Sequence, residues 1–125
     1  MSNIIRNFYD LIVWKKGHEL VLGIYKITET FPEKEKDGVT SQIQRASTSI
    51  TANIAEGFAR FHFKDKVRFY YQARGSAAEV QNFLLIARDL KYINNEDCKK
   101  LGELANEVAK LINGLIKSTN NQLKN

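Results

Sequence analysis

The side chains best suited to chemistry are His18, His62, Cys98 and the carboxylates, and their spacing removes most of the options. A di-metal carboxylate centre in a helical protein needs Glu-x-x-His pairs projecting into the core, and no glutamate in this chain is followed three residues later by histidine. Two histidines cannot build a histidine-rich metal site either. An RNA-cleaving helical bundle would place histidine four to six residues after arginine; in Arg60-Phe61-His62 the two are too close, and Arg6 lies too far ahead of His18. His18 instead falls on an apolar helical stripe, which predicts a hydrogen-bonded histidine in the core. The lone Cys98 has no partner for an internal disulfide and no nearby histidine to activate it, so a half-buried thiol in a reducing compartment is expected. No phosphate-cradling glycine loop, nucleophile elbow or paired-cysteine motif occurs. The reading is a non-enzymatic protein with no catalytic residue, no metal and no cofactor.

What remains is charge. The chain carries a net +5, and the surplus is concentrated: residues 38–78 hold six basic side chains against two acidic ones. Arg60, Lys64, Lys66 and Arg68 crowd one short stretch with Phe61, His62 and Phe63 among them, offset only by Asp65 and Glu56. Cations beside aromatic rings suit phosphates and bases, so these four residues are the candidate nucleic-acid contacts, with structured RNA as the expected ligand. Taken alone the cluster reads as a solvated turn. Summed over the copies of an oligomer, its charge becomes large enough to hold a polyanion. The alternative is a protein-interaction scaffold or accessory factor with a protein partner, in which the basic turn is incidental.

These residues must be positioned by helices. Between Asp10 and Thr30, Leu11, Trp14, His18, Val21, Tyr25 and Thr28 recur every three or four residues, the spacing of one helical face. Pro32 ends that helix. A second helix is expected over 38–60, with Val39, Ile43, Ala46, Ile50, Ile54 and Gly57 on its stripe. A third is expected over 64–92, with Phe69, Ala73, Ser76, Val80, Phe83, Ala87 and Leu90, and a fourth over 95–118, with Leu101, Leu104, Val108, Leu111 and Leu115. The segment Asn94-Asn95-Glu96-Asp97 gives the fourth helix an asparagine cap and acids where its dipole favours them. The tail from Thr119 has no apolar period and is expected to fray. Short links between long helices force antiparallel neighbours. The fold class is therefore all-α, an antiparallel up-down-up-down four-helix bundle forming a single domain over 1–125, with an ordered core about 8–118. No uncharged run approaches the roughly 18 residues that span a membrane, and Met1-Ser2-Asn3-Ile4-Ile5-Arg6 lacks the pattern of a secretion signal. A cytoplasmic protein without membrane contact is expected.

A reversal near His62 puts Arg45 opposite Glu79, Ser49 opposite Gly75 and Glu56 opposite Arg68. Arg45–Glu79 and Glu56–Arg68 are then expected as structural polar pairs that fix the register. Small residues on both helices, among them Ala46, Ser49, Ala52, Gly57, Ala73, Gly75 and Ser76, predict a close approach there. Phe83-Leu84-Leu85-Ile86 and Leu11-Ile12-Val13-Trp14 put apolar side chains on more faces than one interior covers, which marks them as the candidate surface of a homo-oligomer.

Four ordered segments carry a resemblance. Asp10-Leu11-Ile12-Val13-Trp14-Lys15-Lys16-Gly17-His18-Glu19-Leu20, Thr40-Ser41-Gln42-Ile43-Gln44-Arg45-Ala46, Ala52-Asn53-Ile54-Ala55-Glu56-Gly57 and Ala73-Arg74-Gly75-Ser76 together resemble the four-helix-bundle proteins encoded in intervening sequences of bacterial 23S rRNA genes, over about residues 8–115. The resemblance implies an antiparallel four-helix protomer and a ring-like homopentamer. It also implies distant kinship with the accessory proteins of diversity-generating retroelements, which are basic pentamers that bind nucleic acid. Members of the family usually carry proline where this chain has Thr51, so its second helix is expected to run straighter. Asn53 and Arg74 match motif positions and are expected to hydrogen-bond across helices.

Overall fold

The computed structural model describes residues 4–123. Met1, Ser2 and Asn3 of the N-terminal segment, and Lys124 and Asn125 of the tail expected to fray, lie outside the described residues. A 3-10 turn at Phe8–Asp10 leads into α1 (Ile12–Thr28), and a second at Glu33–Glu35 precedes α2 (Val39–Ala59). The chain then forms α3 (Phe63–Asp89) and α4 (Asn95–Leu123), and no strand occurs among the described residues. The all-α class read from the periodicity is the observed one.

Local chemistry sets the boundaries. Asn94 Oδ1 accepts the Asp97 N–H at 2.7 Å and so caps α4 as expected. α3 closes with a Schellman pattern, in which the Tyr92 N–H donates to the Ala87 carbonyl at 2.8 Å and the Lys91 N–H to the Arg88 carbonyl at 3.0 Å. Lys91 occupies the left-handed region that this cap requires, at φ 65°. Just beyond it, the Tyr92 hydroxyl reaches Glu35.

The helices pack in the ring order α1, α2, α3, α4 and back to α1. At every seam rising residue numbers meet falling ones. Gly17 lies against Thr51 while Thr28 accepts a hydrogen bond from Gln44; Ser49 meets Ser76 while Gly57 meets Tyr70. Arg74 meets Asn113 while Cys98 donates to the Leu84 carbonyl, and Lys16 meets Glu107 while Gly23 meets Leu101. Neighbours are therefore antiparallel.

The core face of α2 follows the sequence pattern through Ile43, Ala46, Ile50, Ile54 and Gly57, whereas that of α3 follows it in part. Ala73, Ser76, Val80 and Ala87 are buried as expected, but Tyr70, Ala77 and Leu84 complete the face, with Phe69 and Phe83 half-buried and Leu90 exposed. The core faces of α1 and α4 are rotated from the pattern. α1 buries Val13, Gly17, Leu20, Ile24 and Thr28, which leaves Tyr25 exposed and His18 outside the core, its ring stacked on Trp14 at 4.7 Å. α4 buries Cys98, Ala105, Val108, Ile112, Ile116 and Thr119, with Leu101, Leu104, Leu111 and Leu115 half-buried beside them. Both helices carry apolar residues on adjacent stripes, and period alone does not choose between stripes of equal spacing. The same face carries α4 on to Leu123, so Thr119 is buried, donates to the Leu115 carbonyl at 2.8 Å and does not fray.

The α2–α3 register is one residue off the expected one, because Ser76 rather than Gly75 faces Ser49, donating to its Oγ at 2.9 Å. Gly75 is exposed, and a methyl group there would meet nothing within 4 Å. Gly57 is the close contact instead. A Cβ on it would fall 2.6 Å from Tyr70 Cε1 and 3.1 Å from the Lys66 carbonyl oxygen. α2 runs unbroken through Thr51, whose hydroxyl donates to the Thr48 carbonyl at 3.1 Å. Asn53 bonds within α2, to Ser49, and not across helices; Arg74 does cross, donating to Asn113 Oδ1 at 3.1 Å.

Candidate nucleic-acid interface

The basic stretch forms the turn between α2 and α3. Arg60 leaves α2 in extended conformation and His62 enters α3 in the same way, so Arg60-Phe61-His62 projects from one end of the bundle. Beneath the turn, the absence of a side chain at Gly57 lets the Tyr70 ring sit against α2. Burial pushes the Tyr70 hydroxyl up to about 12, which keeps it neutral.

The four candidate cations come together here but are not equivalent. Lys66 is half-buried, and its Nζ donates to the Phe58 carbonyl at 2.7 Å and the Gly57 carbonyl at 3.4 Å. It therefore caps the last carbonyls of α2 from across the turn. Burial pulls its ammonium below the ordinary lysine value. Arg60 pairs with Glu56 at 3.2 Å, and its guanidinium lies 4.7 Å from the Phe69 ring centroid. Arg68 lies 5.1 Å from the same centroid, in cation–π contact. Lys64 is exposed and, among the described residues, makes no ion pair. Lys64 and Arg68 are thus the cations best placed to meet an incoming anion.

The aromatics divide in the same way. Phe69 is occupied by two guanidiniums, whereas Phe61 is 89% exposed, its ring perpendicular to that of His62 with centroids 5.1 Å apart. Nothing in the sequence distinguishes a ring covered by arginines from one left bare eight residues away; the hairpin geometry decides it.

Neither expected polar pair closes as an ion pair among the described residues. Glu56 takes Arg60, one turn along its own helix, because that spacing aligns them without any tertiary register. Arg45 and Glu79 instead line a polar cavity of about 390 Å³ together with Asp37, Ser41, Gln42 and Ser49. A larger cavity, about 710 Å³, lies between α1 and α4 over Gly23, Ile27, Leu101 and Leu104. Of the candidate oligomer surface, Val13 and Leu84 are buried in the protomer's own core, and Leu11 and Phe83 are half-buried. Ile12, Leu85 and Ile86 are exposed. So are Leu22 and Tyr25 on α1, of which Tyr25 was expected on the core stripe. Among the described residues no group of three or more His, Cys, Asp or Glu side chains could hold a metal ion, and no helix is long and apolar enough to cross a membrane.

A family model described as 23S rRNA-intervening sequence protein matches residues 9–114. The fold is similar to a solved structure of a protein of unknown function from the S23 ribosomal protein family of Bacteroides thetaiotaomicron, with 28% sequence identity and a TM-score of 0.76. That similarity covers 85% of this chain and 99% of the other. No match was found among curated proteins.

Proposed function

We propose, from the premise that this chain belongs to the 23S rRNA-intervening sequence protein family, that it is a non-enzymatic cytoplasmic homo-oligomer, a pentamer, that binds structured RNA at its basic end. The observation that carries the reading is the crowding of Arg60, Lys64, Lys66 and Arg68 on one hairpin, with Lys64 exposed and Phe61 bare beside it. Assembly makes that charge count. Five copies of a chain of net +5 repeat the hairpin on one particle, and phosphate binding follows summed local charge. Exposed Ile12, Leu22, Tyr25, Leu85 and Ile86 supply apolar surface for the contacts between copies.

Light scattering on the purified protein gives the assembly mass, and a gel-shift titration at two salt concentrations gives the binding. A pentamer whose RNA affinity falls steeply with salt is expected. Reversing Lys64 and Arg68 together to glutamate should remove most of that affinity, while the same change at Lys110 and Lys117 on α4 should not. Equal loss from both pairs would mean diffuse electrostatics. No binding by the wild type would favour the scaffold reading, with a protein as partner.

A further inference from the structure

We infer that the Arg60–Lys64 turn recognises unpaired nucleotides, with a base stacked on Phe61 and its phosphate met by Lys64; the inference rests on the nucleic-acid reading above and names the part of the RNA that reading leaves open. The argument begins with elimination. Phe69 lies against the guanidiniums of Arg60 and Arg68, at 4.7 and 5.1 Å from its centroid, so it already has cationic partners. Lys66 is turned inward onto the Phe58 and Gly57 carbonyls, and Arg60 is held by Glu56. What the turn presents outward without such a partner is Phe61, His62, Lys64 and, less fully, Phe63 at 39% exposure.

Among the described residues Phe61 is the most exposed large apolar side chain, at 89%. That exposure leaves open ring surface of the kind a planar partner needs. Within a duplex the bases are already stacked on each other, and the A-form major groove is too deep and narrow for a side chain to enter. A splayed base from a loop, bulge or strand offers a free π-face. Stacking on an aromatic side chain is sequence-tolerant and worth roughly ten-fold in affinity per base. Lys64, three residues along the chain, is the cation that would then hold the phosphate.

The turn is also a firm platform. Its two sides are pinned by the Lys66 cap and by the Gly57–Tyr70 contact, so little ordering is needed when a base arrives.

The test uses the full-length protein and fluorescence anisotropy with one labelled RNA strand, measured alone and annealed to its complement. The wild type should prefer the single strand. Phe61→Ala should lower the ratio of single-strand to duplex affinity about ten-fold, and Phe61→Trp should retain it. Light scattering on each variant should give an unchanged assembly mass. Equal wild-type affinity for the two RNAs, with Phe61→Ala changing neither, overturns the inference and leaves RNA binding standing. A lower assembly mass for Phe61→Ala also overturns it, because the ring would then be buried between copies. If the wild type binds neither RNA, both readings fall together.

Discussion

At the end of the bundle where α1 hands over to α2 and α3 to α4, a hydrogen bond ties the two links together, while the buried Thr40 hydroxyl at the start of α2 has no partner among the described residues. The Tyr92 hydroxyl donates to one oxygen of Glu35 at 2.6 Å, and the other oxygen accepts the Val39 N–H at 3.3 Å. Phe31, buried, packs with its ring centroid 5.6 Å from that of Tyr92. At the opposite end α2 and α3 are pinned just as firmly below their turn, by Lys66 on the Phe58 carbonyl and by Tyr70 against Gly57. There, however, the tip projects Phe61 and Lys64 into solvent. One end has its two links tied to each other; the other is ordered at its base and incomplete at its tip. Incomplete chemistry on a rigid base is what a binding surface requires, since ordering a floppy loop would subtract from affinity.

The sharpest way to break this contrast is Gly57→Ala. Its methyl group would meet Tyr70 Cε1 at 2.6 Å and the Lys66 carbonyl oxygen at 3.1 Å, and neither a buried ring nor a backbone atom yields as a flexible chain end would. Overpacking of this kind costs about 1–3 kcal/mol, which exceeds the gain of about 1 kcal/mol from replacing a helical glycine by alanine. Chemical denaturation should therefore show a net loss of stability. Wild-type stability in this variant would mean the base of the basic turn is loose, and the preorganised platform would be lost with it.

A smaller effect of opposite sign is expected five residues beyond Tyr70, on the outer side of α3. Gly75→Ala places a methyl group where nothing lies within 4 Å, so only helix propensity operates and the protomer should gain up to about 1 kcal/mol. The pair of alanine variants thus maps how far the close approach extends along α2 and α3. A loss at Gly75 that grows with protein concentration would show that another copy covers this face.

These two glycines also show what the sequence could reveal. Both occupy small-residue motifs, and the motifs correctly signal that α2 and α3 pack closely. They do not say which glycine faces inward, because a shift of one residue in register exchanges Gly75 for Ser76. α2 was legible apart from half-buried Val39 and buried Ser47, since Ile43, Ile50 and Ile54 recur at helical spacing among polar positions. α1 was not: Leu11, Trp14 and Val21 compete with Val13, Leu20 and Ile24 at identical spacing, and Gly17 adds no hydropathy to the winning face. The basic site was legible as composition only. That Lys66 caps a helix while Lys64 stays free depends on which way each lysine points once the hairpin has closed.

The smallest expected effect belongs to the closed end, and its pH dependence identifies it. The hydrogen bond from Tyr92, then that from the Val39 N–H, with Lys34 adding to them against a modest opposing burial, holds the Glu35 carboxyl below its ordinary value. The same bond to Glu35, then burial and the carboxylate's charge, raises Tyr92 above the ordinary tyrosine value. A carboxyl with a depressed folded value contributes its full stabilisation above the unfolded value of about 4.3 and loses it as pH falls through the lowered one. A phenol with a raised folded value contributes fully below about 10 and loses that contribution as pH climbs through the raised one. Tyr92→Phe keeps the ring beside Phe31 and deletes the donor. Its thermal midpoint should lie below the wild type at neutral pH, and the gap should narrow when Glu35 is protonated in acid. A gap that stays constant from neutral to acid pH would assign the loss to altered ring packing. No gap at either pH would mean that the Tyr92–Glu35 bond does not close this end, and the contrast between the two ends would then rest on the exposed tip alone.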